Sequence, residues 1–127
     1  MNLGQEFFTA ERCYITELSN SDADPYVSIA RARVPVGITT RGHRLKDTAE
    51  RCVLLEGRGR VAVGDASAQE VSTGDVVWIP PMTRQRITCL GETELIFLAI
   101  CSPRFRSENY EDLEPRDNAP PSHESRC

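Results

Sequence analysis

The stretch RCVLLEGRGRVAVGD, Arg51 to Asp65, decides the fold. Two short apolar runs, Arg51 to Glu56 and Arg60 to Val63, are separated by Gly57-Arg58-Gly59 and closed by Gly64-Asp65. Runs of this length bounded by glycine read as strands, and Gly-Asp suits a tight hairpin turn. The same reading extends outward. Upstream, Tyr26 to Val34 (YVSIARARV) is rich in strand formers and ends at the turn signal Pro35-Val36-Gly37. Downstream, Glu70-Val71-Ser72 leads into Gly74-Asp75, and Val76 to Ile79 runs into Pro80-Pro81. Arg84 to Cys89 alternates, Gly91 turns, and Glu94 to Cys101 completes the series. Strands recurring at intervals of about eight to twelve residues, with turn residues between them, are the pattern of an all-β sandwich or barrel. No segment sustains a helical period; a turn near Asn109 to Leu113 is the one candidate.

The 127 residues suit one domain, and 39% hydrophobic with 27% charged residues is an ordinary globular composition. The longest apolar run, Leu95 to Cys101, is far short of the roughly 20 residues of a bilayer span, so no membrane partner is expected. The first ten residues lack a basic segment followed by an apolar one, so no signal peptide is expected and the location is read as cytoplasmic. Residues 1–25 form an N-terminal arm or strand, 26–102 the barrel, and 103–113 a C-terminal arm with Phe105 and Tyr110. Residues 114–127 (EPRDNAPPSHESRC) are Pro-rich, charged and nearly free of apolar side chains, which predicts disorder. His123 and Cys127, in that tail, are assigned no chemistry.

Fifteen basic against nineteen acidic residues give a net charge of −4, which provides no bulk attraction to nucleic acid. Lys46 is the one lysine; the other basic residues are arginines, whose planar donors suit carboxylate or phosphate, so a small anionic ligand stays in view. The cysteines (Cys13, Cys52, Cys89, Cys101 and Cys127) are odd in number and contain no CxxC pair. This predicts reduced, mostly buried thiols and excludes a zinc ribbon or finger.

Two blocks now stand at a meaningful separation: GITTRGHRLKDTAERCVLLEG, Gly37 to Gly57, and GDVVWIPPMTRQRITC, Gly74 to Cys89. Together they resemble the two signature motifs of the cupin superfamily, and the resemblance spans about Val27 to Ile100. Gly37, His43, Glu50 and Gly57 fall where the family places its glycine, first histidine, glutamate and closing glycine. Gly74 and Pro80 match the second motif. Leu45 stands at the second histidine, Met82 at the second motif's glycine, Gln85 at the third histidine and Cys89 at the asparagine. The resemblance implies a double-stranded β-helix, the cupin jelly-roll barrel. In the family, three histidines and a glutamate hold a divalent metal inside the barrel. Carried over residue by residue, the candidates for catalysis and metal binding are His43, Glu50 and Gln85, with zinc, manganese, iron or nickel as the ion. Leu45 ligates nothing. Small single-domain members also imply a homodimer.

Strand parity supports two of the three, Glu50 and Gln85. Glu50 shares a face with Cys52 and Leu54, and Gln85 shares one with Ile87 and Cys89, while Arg84 and Arg86 point the other way. A carboxylate and an amide inside an apolar barrel need a cation or hydrogen bonds. One imidazole, one carboxylate and one amide do not make the two-histidine-one-carboxylate triad of iron oxygenases, so Lewis-acid chemistry is the better expectation. The expected function is therefore a metal-assisted isomerase-, lyase- or cyclase-like enzyme acting on a small polar metabolite such as a sugar or hydroxy acid. The alternative is a metal-free, non-catalytic cupin that binds a small ligand as a sensor or accessory protein. Tyr14 and Tyr26 each offer a phenol for proton donation. Trp78 is read as core or dimer interface. Arg31 and Arg33 share one face, which the sequence does not choose.

Overall fold

The computed structural model describes residues 4–114. The expected disordered tail, with His123 and Cys127, lies outside the described residues beyond Glu114. The described residues form eleven strands: β1 (Glu6–Phe8), β2 (Tyr14–Ser21), β3 (Asp24–Val34), β4 (His43–Leu45), β5 (Ala49–Glu56), β6 (Arg58–Val63), β7 (Gln69–Ser72), β8 (Val76–Ile79), β9 (Gln85–Leu90), β10 (Leu95–Ser102) and β11 (Tyr110–Asp112). A six-stranded sheet has the order β1-β2-β3-β10-β5-β8, and a five-stranded sheet has the order β11-β4-β9-β6-β7. From β3 onward the chain crosses repeatedly between the sheets, and every strand pair among the described residues is antiparallel. That winding is the all-β double-stranded β-helix.

Side-chain alternation decides what lies between the sheets. Strand β3 buries Ser28, Ala30, Ala32 and Val34 and turns Arg31 and Arg33 outward, where Arg33 binds Glu6 at 2.8 Å and Glu94 at 2.5 Å. Strand β5 buries Cys52 and Leu54 together with Glu50, and β9 buries Gln85, Ile87 and Cys89 while exposing Arg86. The apolar core is built from Ile15, Val34, Leu54, Val61, Ile87, Leu95 and Phe97 and their neighbours. Each such side chain contributes about 1.5–3 kcal/mol by leaving water.

The expected hairpin turn at Gly64-Asp65 joins β6 to β7, whereas Gly57-Arg58-Gly59 is a crossing between sheets, because β5 and β6 belong to different ones. Three local expectations change. The turn near the C-terminus comes earlier, at Ser107–Asn109, and Tyr110–Asp112 continues as a strand paired with β4. Of the two readings of Trp78 the core is excluded: β8 is an edge strand whose outward residues are Val76 and Trp78, and the Arg51 guanidinium lies 4.4 Å above the indole ring. Cys52, Cys89 and Cys101 are free and buried, but Cys13 is disulfide-bonded, so the expectation of reduced thiols holds for only three of these four.

Candidate functional site in the barrel interior

The two sheets bring His43, Glu50 and Gln85 into one buried neighbourhood. His43 opens β4 and pairs in register with Gln85, which opens β9. Glu50 lies on β5 across from Ile79 on one side and Cys101 on the other. Their exposures are 0% for His43, 1% for Glu50 and 4% for Gln85. The Gln85 amide donates to Glu50 Oε1 at 3.4 Å, and the Cys52 thiol donates to Glu50 Oε2 at 3.1 Å. Burial, followed by the Glu50 charge, pushes the Cys52 thiol well above its ordinary range. It is therefore a hydrogen-bond donor here and not a nucleophile.

Two residues outside the expected trio complete the cluster. Glu11 is fully buried and places Oε2 2.9 Å from His43 Nδ1. The Tyr110 hydroxyl donates to that same oxygen at 2.7 Å, and the Tyr110 ring stacks on the imidazole with centroids 5.2 Å apart. The Arg41 carbonyl lies 3.0 Å from Nδ1. A carbonyl only accepts, so Nδ1 carries the proton and donates. Nε2 is then the working nitrogen, an acceptor when the ring is neutral and a donor when it is charged. It is buried and has no hydrogen-bond partner among the described residues, and the same holds for Glu11 Oε1.

Burial alone would pull the His43 pKa down, but the charge and hydrogen bond of Glu11, helped by the Arg41 carbonyl and the Glu50 charge, outweigh it and raise the value. Glu11 is raised as well, chiefly by burial, against the opposing pull of His43 and Tyr110. The pair titrates as a unit and holds its proton more tightly when folded. For a raised group, the stabilising contribution is complete below the unfolded pKa, near 6.5 for histidine, and is lost as pH rises through the folded one. Urea midpoints measured from pH 6 to pH 9 are therefore expected to fall with rising pH. The double variant Glu11→Gln/His43→Gln is expected to flatten that decline; a midpoint that instead rises with pH in the parent protein would contradict the assignment.

Neither partner was visible as a site residue in the sequence. Glu17 faces inward on β2, and Glu11 is buried in the turn just before that strand. Two fully buried carboxylates six residues apart are the anomaly that marks such a site. Tyr110 carried no comparable mark, because β11 reaches the cluster only by pairing with β4. Of the tyrosines expected to donate a proton, Tyr26 is 76% exposed and Tyr14 lies beneath the Arg33 guanidinium, so neither belongs to the cluster.

The donor set does not fit a retained metal ion. Leu45, at the second histidine position, packs with Cys101, Phe105 and Tyr110 in a small apolar cluster. Both Glu50 oxygens already accept from protein donors, and Gln85 turns its amide nitrogen towards Glu50. Among the described residues no three of His, Cys, Asp and Glu converge as a metal-binding group. With Leu45 at the second histidine position and Gln85 at the third, one imidazole nitrogen, one already hydrogen-bonded carboxylate and a neutral amide make a much weaker set than three histidines and a glutamate.

A cupin-domain family model matches residues 30–101, more than half of the chain. The chain is a cupin. An uncharacterised protein of Methanocaldococcus jannaschii is 38% identical over 87 residues, covering 68% of this cupin and 69% of the relative. Among solved structures, the nucleoside dehydratase Pac13, studied with uridine as the Streptomyces protein, superimposes with a TM-score of 0.72 at 16% identity. The match covers 86% of this chain and 83% of that one. KdgF from Halomonas sp. gives a TM-score of 0.70 at 15% identity over 80% and 87% of the two chains. At these identities the structural matches establish the cupin fold and nothing finer. No helix among the described residues is long and apolar enough to cross a membrane.

Proposed function

We propose that this cupin is a non-redox enzyme that moves protons on a small polar metabolite, in an elimination or isomerisation of the lyase or isomerase kind, without a resident metal. The observation that carries the reading is the fully buried imidazole of His43, clamped at Nδ1 by a buried carboxylate and without a partner at Nε2. Leaving a polar atom buried and unsatisfied costs on the order of 1–3 kcal/mol, which a substrate hydroxyl or acidic C–H aimed at Nε2 would offset. In this reading His43 takes and returns the proton at Nε2. Glu11 and Tyr110 are positioning residues: they hold the ring's tautomer, and Glu11 strengthens its basicity. Glu50 and Gln85 orient the hydroxyls of the substrate. Water-eliminating chemistry of the kind named for Pac13 belongs to this class, and nucleosides therefore join sugars and hydroxy acids as candidates.

The experiment is incubation in D₂O with a panel of sugars, sugar acids, hydroxy acids and uridine, followed by proton NMR. Exchange at carbon reports proton abstraction even when net turnover is slow. At least one compound is expected to lose a C–H signal, and His43→Gln is expected to slow that loss by about 10²–10⁴-fold. Chelator is expected to leave the rate unchanged. Exchange that survives His43→Gln, or that needs added divalent metal, would overturn the reading. If no compound exchanges but one raises the thermal midpoint, the protein is the non-catalytic binder.

A further inference from the structure

We infer that the outer face of the five-stranded sheet carries a second, separate site: a groove for a small organic oxyanion held by Arg60 and Arg86. Strand β6 pairs with β9 so that Arg60 lies opposite Thr88 and Ala62 lies opposite Arg86. The two guanidinium groups thus stand diagonally on adjacent strands, on the opposite face from Gln85 and Ile87. The short side chain of Ala62 leaves room between them. The resulting groove has a volume of about 370 Å³ and is also lined by Arg12, Thr39, Thr88 and Glu114.

The charges here are unbalanced in a chain whose net charge is −4. Among the described residues neither the Arg60 nor the Arg86 guanidinium has an ion pair or a hydrogen bond. Glu70 faces Arg60 across the β6–β7 pair, yet its carboxylate bonds Arg58 at 3.0 Å. Glu114 is the one carboxylate in the lining among the described residues, and its Oε2 accepts from the backbone N–H of Gly42. Like charges on neighbouring strands destabilise a sheet unless a counter-charge joins them.

A neutral donor is also present. Thr39 and Thr88 bond hydroxyl to hydroxyl at 2.8 Å, which uses one of their two hydroxyl hydrogens and leaves the other to donate. Two arginine forks and a hydroxyl donor match the planar oxygens of a carboxylate or phosphate group. The groove is larger than an inorganic ion requires, so its occupant is an organic molecule bearing such a group.

The test is calorimetric titration of the full chain at low ionic strength with two probes, inorganic phosphate and succinate. At least one is expected to bind, with an affinity that falls as salt is raised. Arg60→Gln/Arg86→Gln is expected to weaken that binding at least tenfold while far-UV circular dichroism is unchanged. His43→Gln is expected to bind as the parent does, which keeps this result independent of the interior chemistry. Tighter binding of phosphate marks a phosphorylated ligand, and tighter binding of succinate marks a carboxylated one. The proposal is overturned if neither probe binds at millimolar concentration, if the double arginine variant binds like the parent, or if His43→Gln removes the binding.

Discussion

Glu11→Ala is expected to destabilise the protein by about 3–5 kcal/mol, the range for removing one partner of a buried ion pair. Glu11 and His43 are both 0% exposed, and the carboxylate is the shared acceptor for His43 Nδ1 and the Tyr110 hydroxyl. Its removal leaves an imidazole with neither nitrogen bonded to a side chain, a phenol hydroxyl without its acceptor, and a void between β4 and the chain before β2. Glu11→Gln keeps an oxygen that can accept from both donors and is expected to cost less than half as much. The measurement is urea unfolding of the three proteins at pH 6, with the slopes compared so that midpoints convert to free energies. A cost for Glu11→Ala below about 1 kcal/mol would mean that the pair is hydrated and exchangeable, which would also remove the basis for a clamped proton carrier.

The second large effect belongs to the crossing at Gly57. Gly57 has a φ of +85°, and an added Cβ would stand 2.5 Å from the Glu94 carbonyl oxygen, a backbone atom that cannot swing aside. Gly57→Ala therefore combines left-handed strain of about 1–2 kcal/mol with overpacking of about 1–3 kcal/mol, for a loss of about 2–5 kcal/mol. Gly74 isolates the first part: its φ is +94°, but nothing lies within 4 Å of an added Cβ. Gly74→Ala is expected to cost only the strain, about 1–2 kcal/mol. Thermal unfolding of both variants checks the ordering, and equal losses at the two positions would show that the Glu94 contact is not the deciding one.

The architecture was legible because a two-sheet barrel writes its inside and outside into alternate residues. The parity of Glu50, Cys52 and Leu54, and of Gln85, Ile87 and Cys89, predicts the inward face of β5 and β9, and those residues are buried. The spacing of Gly37, His43, Glu50 and Gly57, followed by Gly74 and Pro80, marked the cupin barrel, and the family match over residues 30–101 agrees. Periodicity does not say which sheet a strand joins. Gly57 therefore reads equally well as a hairpin or a crossing until the turn before β10 brings Glu94 against it.

The interior cluster depended even more on tertiary structure. His43, Glu50 and Gln85 were identifiable by position within a motif, but the partner that defines the chemistry, Glu11, comes from the segment before β2. The phenol that shares it, Tyr110, comes from 99 residues further along the chain. Contacts at that separation leave no local pattern, because each end is dictated by its own strand and they meet only when both sheets close. The same holds for the arginine groove. Sequence parity set Arg86 on the outer face, while only the β6–β9 register places Arg60 beside it with Ala62 between. Composition and alternation thus determined the barrel and its buried polar residues. Strand order and register decided which of them meet, because chemistry depends on distances that folding alone creates.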